Sequence, residues 1–368
     1  MSHLVAAPDK FRGTATAAEV AAAVGGAARR AGWTADEIPM SDGGEGLLLA
    51  VGGTPHHTWV PGPLGVPTEA EWRLLPADQS GGATAVIEMS QAAGRSLLPH
   101  PRGDDPVSAD TAGVGHLLLR ARDAGATRIV IGCGGSATTD GGWGAVQVVG
   151  TPAALAGVEM QVACDVTTRF VDAAALFGPQ KGASPEQVAR LTDRLRSLSD
   201  RYRRDFGVDV GVIPGAGAAG GLAGGLAVLG AKLVPGFDLV AAMTGLAARL
   251  RTADLVVTGE GHLDPPSFAG KVPGGVLALV AGRCPVLCIV GDADEALLRS
   301  PPAGLEIISL AGRFGAARAR SETIDLVAEV TDEVLGRPCP CGTAQTTVGA
   351  DHRRGRGPWD CSTARWRS

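Results

Sequence analysis

Aromatic side chains are scarce in this sequence: 4% of its 368 residues are Phe, Trp or Tyr, and Tyr occurs once. A core dominated by rings is therefore excluded, and the 45% hydrophobic content has to pack as Ala, Val and Leu. Positive charge is not in excess either. A net charge of -5 supplies no general basic field, so nucleic acid is not an expected partner. The N-terminus shows no basic stretch followed by an apolar one, and no secretory leader is expected. One uncharged run, 211–231, is long enough to suggest a membrane span, but it holds Pro214 and eight glycines. It reads as the tightly packed start of a helix in a soluble protein, with no membrane partner. Cysteine is sparse, and Cys133, Cys164, Cys284 and Cys288 lie in or beside apolar runs. Reduced core thiols belong there, and a cytoplasmic location is the expectation.

Glycine is the counterweight, with 54 residues. Some of it stands with acids in four segments: Ala7-Pro8-Asp9-Lys10-Phe11-Arg12-Gly13, Ser41-Asp42-Gly43-Gly44-Glu45-Gly46, Gly134-Gly135-Ser136-Ala137-Thr138-Thr139-Asp140-Gly141-Gly142 and Thr258-Gly259-Glu260-Gly261-His262-Leu263-Asp264. Glycine lets the backbone bring N–H groups up to an anion, and a carboxylate beside it can hold a divalent cation. Three of the segments follow directly on apolar β-type runs. Together they suggest an enzyme that moves a charged group, with nearby Lys and Arg to receive an acidic substrate.

Strand-like runs at 4–7, 85–89, 128–131, 159–164, 254–257 and 285–290 alternate with helical patterns. Thr16 and Glu19 form a capping-box pattern that opens an Ala-rich helix to about residue 31. A second begins at Ser184-Pro185-Glu186-Gln187 and carries Val188, Leu191, Leu195, Leu198 and Tyr202 on one face. The alternation predicts an α/β fold with mainly parallel strands, in two domains. Ligands of such sheets bind outside the carboxyl ends of strands, where Asp9, Gly134 and Gly259 fall. The tail 338–368 has no apolar period and is expected to be disordered. Its Cys339-Pro340-Cys341-Gly342 lacks a second ligand pair, with only His352 and Cys361 remaining, so a structural zinc is not expected.

Single motifs leave alternatives open. The 134–142 segment either aims N–H groups and the Ser136, Thr138 and Thr139 hydroxyls at a phosphate or carboxylate, or is a tight turn with Asp140 as a helix cap. Gly215-Ala216-Gly217-Ala218-Ala219-Gly220 matches a dinucleotide fingerprint letter for letter. Its context of a broken strand and no following acidic strand end favours a structural or phosphate-contacting helix cap. Gly270-Lys271 fails as a Walker A motif, because Pro265 and Val272 stand where Gly and Ser or Thr belong. Glu260, Asp264 and Lys271 then read as a long loop carrying a metal- or hydroxyl-activating acid and a phosphate-binding lysine. Lys181, in Phe177-Gly178-Pro179-Gln180-Lys181-Gly182-Ala183, is either solvent-exposed or held for an anion.

In order along 4–335, these segments together with Ile87-Glu88-Met89, Ala163-Cys164-Asp165-Val166, Pro214-Gly215 and Gly270-Lys271-Val272-Pro273 resemble the motifs of the bacterial glycerate kinase family. The resemblance implies phosphorylation of D-glycerate by ATP with magnesium, giving 2-phosphoglycerate. It also implies a Rossmann- or flavodoxin-like domain built from both chain ends (1–62 and 251–337) and an inserted α/β domain (63–250), with the site in a cleft between them. On this reading Asp42, Asp165 and Lys271 are catalytic, and Asp42, Glu45 and Asp165 are the magnesium candidates. Asp9, Lys10, Arg12 and Lys181 are assigned to glycerate, and Gly134, Gly135, Ser136, Thr138, Asp140, Glu260 and Asp264 to phosphates or nucleotide. The chain departs from the family in a short 150–157 connection, in Thr139 where Asn is usual, in Thr167-Thr168-Arg169-Phe170 and in Thr111-Ala112-Gly113. Two rival readings remain: a kinase of another small hydroxy acid, and a weakened relative that binds nucleotide or acid. Oligomeric state is not readable.

Overall fold

The structure is a computed structural model that describes residues 1–77, 81–98 and 105–336. The tail 338–368, with Cys339, Cys341, His352 and Cys361, lies outside the described residues. The chain divides into two compact units, Met1–Ser41 with the chain from Val240 onward, and Asp42–Leu239. Their strands are β1 (His3–Ala6), β2 (Thr34–Glu37), β3 (Thr54–Pro61), β4 (Pro67–Leu75), β5 (Ala83–Glu88), β6 (Ala126–Gly132), β7 (Glu159–Ala163), β8 (Lys232–Val234), β9 (Leu255–Leu263), β10 (Val286–Ala293) and β11 (Leu305–Ser309).

The first unit holds a parallel sheet in the order β11-β10-β9-β1-β2. Counted within the unit this is the flavodoxin order, and its topological switch point lies between β1 and β9. Leu4, Val5 and Ala6 of β1 are fully buried, as an uninterrupted apolar strand covered on both faces requires. The helix Ala17–Arg30 starts at the expected capping box: Glu19 N donates to Thr16 Oγ1 at 3.2 Å, and Thr16 N donates to Glu19 Oε2 at 2.8 Å. Its buried Val20, Ala21, Val24 and Ala28 join a core with Leu326, Val327 and Val330 of the helix Thr323–Gly336.

In the second unit the order is β3-β4-β5-β6-β7-β8, antiparallel from β3 to β5 and parallel from β5 to β8. The helix Pro185–Phe206 buries Leu191, Leu195, Leu198 and Tyr202, and the Tyr202 hydroxyl donates to Gly141 O at 2.9 Å. The run 211–231 contains the short helix Leu222–Val228. No described helix is long and apolar enough to cross a membrane.

Two expectations shift. The residues 258–263 are not a loop, because β9 continues through Leu263 by pairing Glu260 with Val290 and His262 with Asp292 of β10. Glu260 is therefore held on a strand. The division of the chain also falls at 41/42 and 239/240 rather than at 62/63 and 250/251. The β3 strand belongs to the second sheet, and Leu246 and Leu250 of the helix Leu246–Leu250 are buried in the first unit.

Candidate active site

In the second unit, 42–46 lies against the carboxyl ends of parallel strands. Asp42 Oδ1 accepts from Gly44 N at 3.1 Å. Glu88, ending β5, accepts through Oε1 from Gly46 N at 2.9 Å and Leu48 N at 3.0 Å, which fastens the start of the helix Leu47–Val51. Burial raises the Glu88 pKa against these donors. Past the end of β6, Gly135 presses on Glu45. A methyl group there would lie 2.1 Å from Glu45 Oε1, and the residue has a φ of 66°. Past β7, Asp165 Oδ1 accepts from Gly236 N at 2.9 Å. A methyl group on Gly236 would stand 1.9 Å from the Asp42 carbonyl oxygen and 2.9 Å from Asp165 Oδ1. Asp42, Glu45, Gly134, Gly135 and Asp165 are thus brought together where a parallel sheet presents its ligands.

Beyond Ser136 the segment turns inward. Ser136 bridges Gly94, and Arg95 N donates to Gly135 O at 2.9 Å. Thr138 and Thr139 are fully buried, with hydroxyls that have no hydrogen-bond partner among the described residues. Gly134, Gly135 and Ser136 are the more accessible part of the loop, and Thr138 and Thr139 the enclosed part. Asp140 accepts from Thr111 N, Thr111 Oγ1 and Gly144 N through Oδ2, and from Gly142 N through Oδ1. Its contacts follow the helix-cap alternative, joining the starts of the helices Ala112–Asp123 and Trp143–Val149. Burial raises its pKa against the pull of those donors.

Lys181 is 4% exposed, and its Nζ donates to Thr138 O at 2.6 Å. Burial lowers its pKa to about 8, with Asp140 opposing and Arg95 adding to the shift. In this structure the Lys181 ammonium supports the loop through Thr138 O. The glycine-rich 215–220 run is structural in the same sense: Gly141 N donates to Gly220 O at 3.1 Å.

The first unit carries a separate cluster. Ala7 N donates to Val257 O, Asp9 N to Gly259 O and Thr258 Oγ1 to Ala7 O, which carries the β1–β9 pairing out to the switch point. Asp9 is buried and accepts from Lys10 N at 2.6 Å, with Lys10 Nζ 3.5 Å away. Arg12 is exposed. Asp264 Oδ1 accepts from Ser267 N at 2.9 Å and Ser267 Oγ at 2.8 Å, and Lys271 Nζ lies 3.9 Å from it. Lys271 immediately precedes the helix Val272–Val280. Glu260 is 8% exposed and its Oε1 has no hydrogen-bond partner among the described residues. Burial raises its pKa to about 7. A hydrogen bond with Ser267 and the Lys271 charge pull it down, and Asp9 and Asp264 push it up.

Sequence reasoning did not single out Glu88, Gly236 or Ser267 for the site. Glu88 carried a usable signal, an acid at the carboxyl end of a buried strand. Gly236 matters through Asp42 and Asp165, far away in sequence, and Ser267 through Asp264, three residues before it. Among the described residues, no group of three or more His, Cys, Asp or Glu side chains is placed to hold a metal ion by itself.

The profile of the Glycerate kinase family matches residues 4–154 and 146–335. The chain is 38% identical to the glycerate 2-kinase of Escherichia coli strain K12 over 332 residues, 79% of this chain and 86% of that protein. It is 38% identical to the glycerate kinase of Halalkalibacterium halodurans, over 80% of this chain and 87% of the relative. A crystal structure described as glycerate kinase 2 from Salmonella typhimurium LT2 superposes with a TM-score of 0.73 at 32% identity. It covers 91% of this chain and 98% of that one.

Proposed function

The chain belongs to the glycerate kinase family, and from that premise we propose that this kinase transfers the γ-phosphoryl group of ATP to D-glycerate, giving 2-phosphoglycerate, with magnesium. The observation that carries the reading is the packing of Asp42, Glu45 and Asp165 with the Gly134-Gly135 turn at the ends of β6 and β7. Phosphoryl transfer demands positioning and charge neutralisation more than covalent chemistry from the protein. The turn offers backbone N–H groups, and Lys271 offers a cation, for phosphate oxygens. Magnesium is commonly held by one or two carboxylates together with phosphate oxygens and waters. Such a donor set fits Asp42 and Asp165 with Glu45 beside them, and needs no cluster of three protein ligands. Bound there, the ion would neutralise charge on the phosphates.

Lys10 and Arg12 supply cations for the glycerate carboxylate, beside Asp9. A cytoplasmic location agrees with the free thiols of Cys133, Cys164, Cys284 and Cys288. Steady-state ADP release, with D-glycerate compared against other small hydroxy acids, tests the substrate. A several-fold or greater preference in kcat/KM for D-glycerate is expected, and preference for another acid overturns the assignment.

A further inference from the structure

The helix Leu47–Val51 has no cap of its own. Gly46, which precedes it, has a φ of 94° and no side chain to offer. A carboxylate from β5 takes that place: Glu88 Oε1 accepts from Gly46 N at 2.9 Å and from Leu48 N at 3.0 Å, and Oε2 accepts from Ser90 Oγ at 3.4 Å. Glu88 is 6% exposed, and Leu47 between the two bonded amides is fully buried. The rest of the segment is pressed onto the neighbouring strand ends of the same unit. A methyl group on Gly132 would stand 2.6 Å from Gly43 O, one on Gly134 would stand 2.7 Å from Gly44 Cα, and one on Gly43 would stand 2.5 Å from Ala163 Cβ. Such packing sets how close the segment lies. The Glu88 bonds are directional, and they set which way Gly46, and Glu45 before it, is turned.

We propose that Glu88 is a positioning residue that orients the 42–46 segment, and through it Asp42 and Glu45, for the magnesium ion, an assignment that rests on the glycerate kinase reading above. Glu88 itself touches neither ion nor substrate, because it is enclosed and its oxygens meet protein donors. It acts in two ways. Its bonds to Gly46 and Leu48 fix the backbone that follows Glu45. Its charge and that of Glu45 repel each other, which disfavours an inward turn of the Glu45 carboxylate. That carboxylate lies instead against Gly135, where a methyl group would stand 2.1 Å from Oε1. Groups that orient metal-binding residues from behind change metal affinity or activity by roughly ten- to a hundredfold when they are removed.

The test compares the wild type, Glu88→Ala and Glu88→Gln in three measurements: ADP release with D-glycerate over a magnesium titration, melting temperature, and hydrogen exchange at the Gly46 and Leu48 amides with neither magnesium nor nucleotide present. Glu88→Ala is expected to raise the magnesium requirement and lower kcat, each by roughly tenfold or more, and to speed exchange at both amides. The KM for D-glycerate should stay unchanged, because Lys10 and Arg12, assigned to its carboxylate, belong to the first unit. Glu88→Gln keeps an oxygen at the same place without the charge, and should recover part of each loss; it also carries the test if Glu88→Ala does not fold. A residue of purely structural value would lower the melting temperature and leave the kcat and magnesium requirement of the folded protein alone. An active wild type beside a folded variant with normal kcat, magnesium requirement and exchange overturns the positioning role and leaves the kinase reading standing. A wild type that makes no ADP with D-glycerate overturns the kinase reading, and the positioning role with it.

Discussion

Lys181 Nζ donates to the carbonyl oxygen of Thr138 at 2.6 Å, with both residues buried. The contact ties the turn ahead of the helix Pro185–Phe206 to the same loop that carries Gly134 and Gly135. The ammonium is thereby used inside the protein, near Asp140.

Lys181→Met should therefore destabilise the second unit by about 1–3 kcal/mol, the cost of an orphaned buried acceptor. Chemical denaturation measures this directly. A lysine that instead held the glycerate carboxylate would leave stability unchanged on mutation and raise only the KM for glycerate.

Two aspartates of the second unit should separate cleanly. Asp42→Asn is expected to lower kcat by roughly a hundredfold or more with little change in melting temperature, because Asp42 is assigned to the reaction. Asp140→Asn should cost about 3 kcal/mol or more, since an amide group would face N–H donors that now meet a carboxylate. Kinetics and thermal melts on both variants decide it. Equal loss of stability in the two would remove Asp42 from the catalytic set.

Gly236→Ala tests whether Asp42 and Asp165 act together. A methyl group cannot stand 1.9 Å from the Asp42 carbonyl oxygen, so the two segments must separate. The expected result is a lower kcat and a higher magnesium requirement, read from ADP release over a magnesium titration. Normal magnesium dependence would dissociate this pair from the metal.

Stability should also track Glu260. Its folded pKa of about 7 lies above the ordinary 4.5, so the folded state holds the extra proton. The linked stabilisation is fully present below about 4.5 and is lost as pH rises through about 7. The melting temperature of Glu260→Gln should gain on the wild type between pH 5 and 8, in round numbers about the window set by those values. A constant difference across that range would show that Glu260 does not titrate there.

The capping boxes at Thr16 and Ser184 announced their helices, because the residues that make them are three apart and their physics is local. Apolar runs announced β1, β5, β6, β7, β9 and β10 for a similar reason. The polar β2 and the hairpin of β3 and β4 gave no such signal. Thr54-Pro55-His56-His57 of β3 has little apolar surface, and its pairing is set by β4. The acids of the site were visible beside glycine, yet their duties were not. Asp42 and Asp140 look alike in sequence, and only the long-range donors from Thr111 mark Asp140 as structural. The burial of Lys181 was not legible either, because burial of a lysine depends on what the fold brings over it.

The central claim is tested most directly by the product. Purified protein should be incubated with ATP, magnesium and D-glycerate, and the phosphorus NMR spectrum followed against reactions lacking each component. The account predicts 2-phosphoglycerate and ADP in equal amounts, formed only when all three are present. ADP released without glycerate, a phosphate on the other hydroxyl, or no turnover in the complete mixture would contradict it.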